Sequence, residues 1–243
     1  MNITTKDEAR TWTKVSENKR NPLRFAQNLL YPFALLRATY STGDLRGEAE
    51  RFERFRAAGV PVPQVVRSSR RVLVTSDVGE SIERQFRANP ARSEELARAA
   101  FGALLGLHLR KLVHGRPFLR DMTYRDGVVY FLDLEEDPTK VMPLFTAQVR
   151  DLMLMVFSTR RLGLGDVTAE VVRYLAGRDE RFRTHLARQL RLLRVLSFPL
   201  SLVPGRLAGK DLRMVRGTLS LVEGALAQGG HARLRGSVAQ RGT

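Results

Sequence analysis

Two aspartates, Asp121 and Asp133, stand at the ends of a segment that the sequence predicts to be a β-hairpin. Residues 122–124 and 128–132 are apolar and favour β-structure, and the Asp-Gly pair between them accepts the positive φ of a tight turn. We expect folding about this turn to bring both carboxylates to the same end of the hairpin. Neighbouring carboxylates repel each other unless a cation lies between them.

That cation is either an arginine or lysine side chain, or a divalent metal ion such as magnesium or manganese. The alternative interpretation is that the two aspartates are ordinary turn residues, since Asp is common beside hairpins.

The first half of the chain predicts short strands alternating with helices. The pattern indicates strands over residues 9–15, 64–67 and 71–76. Helices are predicted over residues 21–40, with a division at Pro32, and over 41–58, 81–86 and 93–113.

The second half predicts mostly helices, over residues 146–158, 166–176, 179–195 and 210–227. Residues 231–243 are rich in Gly, Arg and small polar residues, and we expect a disordered tail there. Because strands cluster early and helices dominate later, the fold class is predicted to be α+β, with two unequal lobes joined near residues 77–79.

The composition limits the classes of protein to which this chain can belong. There is no cysteine, which excludes disulfides and cysteine metal sites. The first residues are polar and no apolar run is long enough to span a bilayer, so we expect a cytoplasmic protein. The net charge of +16 favours anionic partners, although an arginine-rich proteome would explain it equally well. Nucleic acid is the weaker candidate partner, because no recognition motif for it is present.

The hairpin and the helix before it resemble a known family. The segments LGLHLRKLVHG and FLDLEE are similar to the catalytic region of the protein-kinase-like superfamily, in particular the small bacterial lipopolysaccharide-core sugar kinases. More distantly they resemble aminoglycoside and choline phosphotransferases. The segments GEAERFERFRAAGVPVP and VLVTSDVG resemble the regulatory helix and the hinge strand of the same group. The resemblance implies a two-lobed protein-kinase-like fold, with a truncated N-lobe over residues 1–76 and a mostly helical C-lobe over 77–230.

The resemblance also implies roles for individual residues. Lys14 falls where the family holds the nucleotide phosphates, and Glu48 where a glutamate orients that lysine, with Glu50 as a competitor. The hinge residues Asp77 and Val78 would border the bound nucleotide.

Farther along the chain, Asp133 matches the family's metal-binding aspartate. His114 matches a loop histidine with a structural role, and Asp151 a helix aspartate that braces the loop from below. Residues 135–137 are acidic and would either add a metal ligand or pair with nearby arginines.

Three departures from the family pattern matter. Arg116 stands where the catalytic aspartate is expected, and an arginine cannot accept a proton at neutral pH. Asp121 stands where the metal-binding asparagine is expected, so Asp121 and Asp133 would hold the metal while Arg116 neutralises the transferring phosphoryl group. No glycine-rich loop precedes Lys14.

The resulting hypothesis is an ATP-dependent phosphotransferase that uses magnesium or manganese. Its acceptor would be a bacterial envelope sugar, a lipid-linked glycan or, with less support, a protein hydroxyl. One alternative is a catalytically impaired pseudokinase that acts as a binding or regulatory scaffold. A third and weaker hypothesis is a polyanion-binding protein.

Residues 178–210 alternate arginine with apolar residues. On a helix, Phe182, Leu186, Leu190, Leu193 and Val195 would form an apolar stripe bordered by arginines at 183, 188, 191 and 194. This composition is typical of a helix on an anionic membrane surface, here the inner face of the cytoplasmic membrane. The alternative is a core-packing helix with an arginine-rich exposed face.

Overall fold

The structure is a computed structural model, and it describes residues 2–7, 11–16, 44–201 and 210–239. The helix predicted over residues 21–40 lies outside these ranges. The described residues form an α+β fold in which a small sheet comes first and helices dominate the rest, as the sequence predicted.

The first sheet has four antiparallel strands: β1 (Asn2–Asp7), β2 (Thr11–Ser16), β3 (Val65–Ser68) and β4 (Val72–Ser76). Their spatial order is β1-β2-β4-β3, so β2 and β4 are the inner strands. Strand β1 was not predicted, because Ile3 is the one apolar residue in its sequence NITTKD, which therefore carries no apolar alternation. Its antiparallel pairing with β2, rather than its own residue types, stabilises it as a strand.

Helix α1 (Arg46–Ala57) packs beside this sheet. Its apolar side chains recur every three or four residues, so Ala49, Phe52 and Phe55 lie on one buried face. The helix ends at Ala57. Gly59 follows with a φ of +70°, which suits glycine, and the chain then continues extended toward β3.

A second, two-stranded sheet is the predicted hairpin. Strand β5 (Met122–Arg125) pairs antiparallel with β6 (Val128–Phe131) about a turn in which Asp126 and Gly127 both have positive φ. The amide of Leu132 donates to the carbonyl of Asp121 at 2.9 Å. This bond places Asp121 and Asp133 at the same end of the hairpin.

Six helices make up the larger part of the fold. They are α2 (Ile82–Ala88), α3 (Ser93–Leu109), α4 (Leu144–Leu162), α5 (Thr168–Ala176), α6 (Glu180–Ser201) and α7 (Lys210–Ala239). One continuous apolar core joins them to α1 and both sheets. None of the described helices is long and apolar enough to cross a membrane.

Several helix boundaries differ from those expected; α6, for example, ends at Ser201 rather than at residue 195. Helix α3 ends at Leu109 rather than at residue 113, and Lys111 there has a positive φ that turns the chain away. Helix α7 continues to Ala239, so residues 231–239 are helical rather than a disordered tail, while 240–243 lie outside the described ranges. The favourable helix formers Ala232, Arg233 and Leu234 support this continuation.

The apolar stripe predicted on α6 is largely internal. Phe182, Leu186 and Leu190 lie in the core, and Arg183 is buried in an ion pair with Glu180 at 2.9 Å. Most of this stripe therefore packs in the core, as the alternative interpretation predicted, because neighbouring helices bury it.

Candidate functional site

Lys14 lies at the centre of a cluster of carboxylates. Its Nζ atom is 2.8 Å from Glu48, 2.7 Å from Asp133 and 3.3 Å from Glu135. Glu48 comes from α1, whereas Asp133 and Glu135 come from the segment after β6. One lysine therefore joins the first sheet, α1 and the hairpin. Glu50, the competitor of Glu48, is exposed.

The pleat of the first sheet explains why Lys14 points inward. Lys14 and Trp12 are two residues apart on β2 and so share one face of the sheet. Their register partners on β4 are Leu73 and Thr75. All four side chains line the same cleft.

Arg116 lies between Asp121 and Asp133, the two aspartates at the ends of the hairpin. Its Nη2 is 2.8 Å from Asp133 Oδ2, and its Nε is 3.9 Å from Asp121 Oδ2. The same guanidinium reaches Glu135 at 3.3 Å and Glu136 at 3.6 Å. The cation expected between the carboxylates is thus supplied, in this structure, by an arginine.

Asp121 differs from its neighbour in having an unsatisfied oxygen. Its Oδ2 is buried and, among the residues that the structure describes, has no hydrogen-bond partner. Burial and the nearby charge of Asp133 raise the pKa of Asp121 to about 7, although Arg116 and Arg120 act in the opposite direction. This carboxyl therefore takes up a proton close to neutral pH.

The other ionisable groups of the cluster, Glu48, Asp133 and Lys14, shift one another's pKa values. Burial raises the pKa of Glu48 to about 7 despite the contact with Lys14. Burial alone would raise the pKa of Asp133, but the ion pairs with Lys14 and Arg116 lower it overall. Burial would likewise lower the pKa of Lys14, yet the surrounding carboxylates raise it. At neutral pH, Lys14 and Asp133 are therefore both charged.

The loop that carries Arg116 is braced from beneath by Asp151 on α4. The Asp151 carboxylate accepts hydrogen bonds from the amides of His114 at 2.6 Å and Gly115 at 3.0 Å. It also lies 3.3 Å from His108, which in turn contacts the hydroxyl of Tyr174. The predicted bracing contact is present, and His108 is a buried packing residue.

His114 is fully buried, and burial lowers its pKa to about 4. Its Nδ1 accepts a hydrogen bond from the Arg116 amide at 3.3 Å. His114 is therefore neutral and fixes the backbone of the loop. Gly115 beside it has a φ of +99°, and a Cβ there would lie 2.3 Å from the carbonyl oxygen of Glu136.

Arg51 is a site residue that the sequence argument missed. It is 5% exposed and donates to the carbonyls of Val113, Leu134 and Glu136. Arg51 thereby fastens α1 to both the loop and the segment after β6. The signal available in the sequence was its position three residues after Glu48, on the inward side of an amphipathic helix.

A cleft of about 890 Å³ lies between the first sheet and the hairpin, and it is lined by Lys14, Arg116 and the carboxylates around them. One part of its wall is apolar, with Trp12, Leu73, Val78 and Leu132. The indole of Trp12 donates to Asp77 at 3.0 Å, which ties β2 to the segment after β4. Asp77 and Val78, the predicted hinge residues, therefore lie in the same cleft as Lys14.

Another part of the cleft wall is charged, with more acids than bases among the described residues. The acids are Glu48, Asp77, Glu80, Asp121, Asp133 and Glu135, and the bases are Lys14, Arg84, Arg116 and Arg120. A cleft with this balance in a chain of net charge +16 attracts a further cation.

Two residues of the cleft, Asp121 and Asp133, could contribute ligands to a divalent ion. Among the described residues, no group of three His, Asp or Glu side chains is arranged to hold a metal by itself. The orphaned Asp121 Oδ2 and the neighbouring Asp133 nevertheless offer two carboxylates. Two carboxylates completed by water and phosphate oxygens are the usual setting of Mg²⁺ in proteins.

Part of the chain is similar to a bacterial protein. No family model matches the chain. It is 39% identical over 79 residues to an uncharacterized protein of Haemophilus influenzae. The match covers 31% of this chain and 32% of that protein, so the chain spans about a third of the length of this relative.

Proposed function

We propose that this chain is an ATP-dependent phosphotransferase with a protein-kinase-like, two-lobed fold. The observation that carries the proposal is the contact of Lys14 with both Glu48 and Asp133, inside a cleft that has one apolar and one charged wall. A lysine held between two carboxylates at a nucleotide-sized cleft is suited to gripping phosphates.

The apolar wall contacts the base of the nucleotide, and the charged wall contacts its phosphates. The base lies against Trp12, Leu73 and Val78, where aromatic and aliphatic surfaces favour a planar ring. The phosphates lie toward Lys14, which exchanges one of its carboxylate contacts for phosphate oxygens.

A divalent ion completes this arrangement, with Asp121 and Asp133 as its protein ligands. It would supply charge neutralisation for the β- and γ-phosphates. The excess of acids over bases in the cleft supports the need for it, because ATP is itself a polyanion.

Arg116 serves the transferring phosphoryl group rather than the acceptor proton. Its guanidinium is permanently charged and offers several donors in one plane, which suits phosphate oxygens. Phosphoryl transfer depends mainly on positioning and charge neutralisation, so the absence of a carboxylate at position 116 slows transfer but leaves its main contributions in place. The acceptor is a sugar hydroxyl of the bacterial envelope or of a lipid-linked glycan, a class proposed from the sequence resemblance alone.

A second candidate function is a nucleotide-binding scaffold without turnover. The observation that favours it is the 2.8 Å contact of Arg116 with Asp133 Oδ2, which occupies an oxygen that the metal would need. In that case Arg116 replaces the divalent ion, and nucleotide binding is independent of metal.

The chain's single tryptophan, Trp12, makes the test direct. Titration with ATP and Mg²⁺ or Mn²⁺ is expected to quench its emission, because the base lies against the indole. Transfer of labelled γ-phosphate to envelope sugars and lipid-linked glycans is then measured for the natural chain and for Asp133→Asn. The matched control is Asp126→Asn, which changes an exposed aspartate at the far end of the hairpin.

The three outcomes separate the hypotheses. Metal-dependent binding and transfer, lost in Asp133→Asn and kept in Asp126→Asn, supports the phosphotransferase. ATP binding that persists in EDTA, with no transfer to any acceptor, supports the scaffold. If calorimetry and fluorescence both detect no ATP binding, the nucleotide site is wrong.

A further inference from the structure

A series of charge contacts runs along the cleft from its interior toward its mouth. In order, the contacts are Lys14 to Asp133 at 2.7 Å, Asp133 to Arg116 at 2.8 Å, Arg116 to Asp121 at 3.9 Å and Asp121 to Arg120 at 3.6 Å. The exposed fraction of the cationic side chains rises in the same order, from 13% at Lys14 through 26% at Arg116 to 55% at Arg120. Arg120 therefore lies on the side from which a second substrate would enter.

Arg84 lines the same cleft as Arg120. It belongs to the first turn of α2, which packs against the short turn Leu119–Asp121 that carries Arg120. Ser81, just before α2, pairs with Thr123 on β5, and its hydroxyl accepts a hydrogen bond from the Arg84 amide at 3.3 Å. The fold therefore holds the backbones of the two arginines close together on the cleft wall.

Protein carboxylates balance the charges of Arg84 and Arg120 only in part. Arg84 is exposed and, within the ranges that the structure describes, forms no ion pair, not even with Glu80 four residues earlier. The one ion pair of Arg120 within these ranges is with Asp121, a carboxylate that Arg116 shares. Positive charge is therefore left over at this end of the cleft.

An aromatic ring positions the guanidinium group of Arg120. The ring centroid of Phe118 is 5.3 Å from Cζ of Arg120 and 5.8 Å from Cζ of Arg116. Arg116 is engaged by Asp133 and Glu135 as well, whereas Arg120 is not. A guanidinium that is held by a ring but not saturated by carboxylates keeps N–H donors for an anion.

We propose that Arg84 and Arg120 bind a phosphate group of the acceptor, so that the acceptor is a phosphorylated or diphosphate-linked sugar rather than a neutral one. The identity of this ligand as the acceptor rests on the proposed phosphotransferase function, whereas the phosphate site rests on the two arginines. A phosphate monoester carries a charge of about −2 at neutral pH and three acceptor oxygens, which suits two guanidinium groups. A carboxylate carries a single charge and would leave one arginine uncompensated.

Isothermal calorimetry of the full chain with glucose 1-phosphate, glucose and glucuronate tests the site without requiring transfer. The variant is Arg84→Gln together with Arg120→Gln. The matched control is Arg67→Gln together with Arg71→Gln, which removes two exposed arginines outside the cleft and so measures non-specific attraction by the basic chain. Each titration is repeated with ATP and Mg²⁺ present, and ATP binding is followed separately through the fluorescence of Trp12.

The natural chain and the control should bind glucose 1-phosphate more tightly than glucose or glucuronate. The double variant should lose about tenfold or more in affinity for glucose 1-phosphate, because each arginine donates hydrogen bonds to a charged group. Its ATP binding should be retained. Phosphatidylcholine vesicles with and without a polyprenyl-diphosphate sugar distinguish a lipid carrier from a soluble sugar phosphate, and binding of either source that the double variant loses supports the proposal.

Equal binding of glucose 1-phosphate by the double variant and the natural chain would overturn the proposal. So would equally tight binding of glucuronate, no binding of either phosphate source, or displacement of glucose 1-phosphate by ATP, which would place the phosphate at Lys14. If the double variant melts at a lower temperature than the natural chain, Arg84→Gln alone serves in its place. If ATP does not bind while glucose 1-phosphate binding depends on the two arginines, the phosphotransferase proposal fails and the phosphate site stands.

Discussion

Arg116 and Asp133 form an ion pair at 2.8 Å within reach of a second carboxylate, since the same guanidinium lies 3.9 Å from Asp121. A permanent cation thus stands where two acidic groups would otherwise repel each other. This relationship leads to a direct prediction about metal dependence.

Replacing Arg116 with alanine should make the protein's stability depend on divalent cations. Without the guanidinium, Asp121 and Asp133 face each other with less compensation, and we expect a loss of about 1–3 kcal/mol in the free energy of unfolding at pH 8. Mg²⁺ or Mn²⁺ should then raise the melting temperature of Arg116→Ala more than that of the natural chain. Arg120→Ala, which removes a mostly exposed arginine near the same carboxylate, is the control. Equal metal effects on all three proteins would contradict the prediction.

Lys14 and Glu48 should show a large coupling energy. Both side chains are largely buried, so Lys14→Met leaves Glu48 without its partner and should cost about 3–5 kcal/mol. Adding Glu48→Gln removes the stranded charge and should recover part of that loss. Urea denaturation of the two single variants and the double variant gives the coupling energy directly.

The exposed pair of Arg87 with Glu83 provides a control cycle for this measurement, with an expected coupling below about 0.5 kcal/mol. If the two cycles give similar coupling energies, the buried pair is not stabilising the cleft.

Burial lowers the pKa of His114 to about 4, which makes stability rise with pH, but Asp121 should act in the opposite direction as pH rises from about 4 to 7. Its pKa in the folded chain is about 7, against an ordinary value of 3.8, so the folded state binds more protons than the unfolded state in this window. The full effect is on the order of 4 kcal/mol. Glu48 contributes with the same sign, because its pKa is also raised to about 7.

Asp121→Asn separates the two contributions. The variant should gain stability relative to the natural chain at pH 8, and this gain should shrink as the pH falls from 8 to 5. Chemical denaturation at four or five pH values measures both slopes, and parallel slopes would show that Asp121 has an ordinary pKa.

Gly115→Ala should destabilise the chain by about 2 kcal/mol or more. The added Cβ meets the carbonyl of Glu136, and the φ of +99° is unfavourable for any other residue. Gly102→Ala on α3 is the opposite case, because a Cβ there meets nothing within 4 Å. It should stabilise by about 0.5–1 kcal/mol through helix propensity. Thermal denaturation of the two variants checks both signs, and a neutral Gly115→Ala would mean that the loop relaxes.

The sequence was sufficient for features that depend on local spacing. The period of Ala49, Phe52 and Phe55 predicted α1, and the Asp-Gly turn predicted the hairpin and the shared end of its two aspartates. It was insufficient where distant elements decide the outcome. Strand β1 is ordered by its partner rather than by its own residues.

Arginines were the hardest residues to place. Arg51 accepts burial because two segments far from it in sequence, residues 113–114 and 134–136, present carbonyls to it, and Arg183 is buried beside Glu180 rather than on the surface. An arginine in an arginine-rich chain carries no local signal that distinguishes these positions from solvated ones.

The three carboxylates around Lys14 come from elements that Arg51 ties together, namely α1 and the segment after β6. The ammonium group of Lys14 therefore connects the first sheet to α1 and to the segment after β6. Any hinge movement that lifts β2 must break all three contacts at once, and because Lys14 and Glu48 are largely buried, added salt should screen the contacts little. The cleft accordingly has an ionic latch at Lys14.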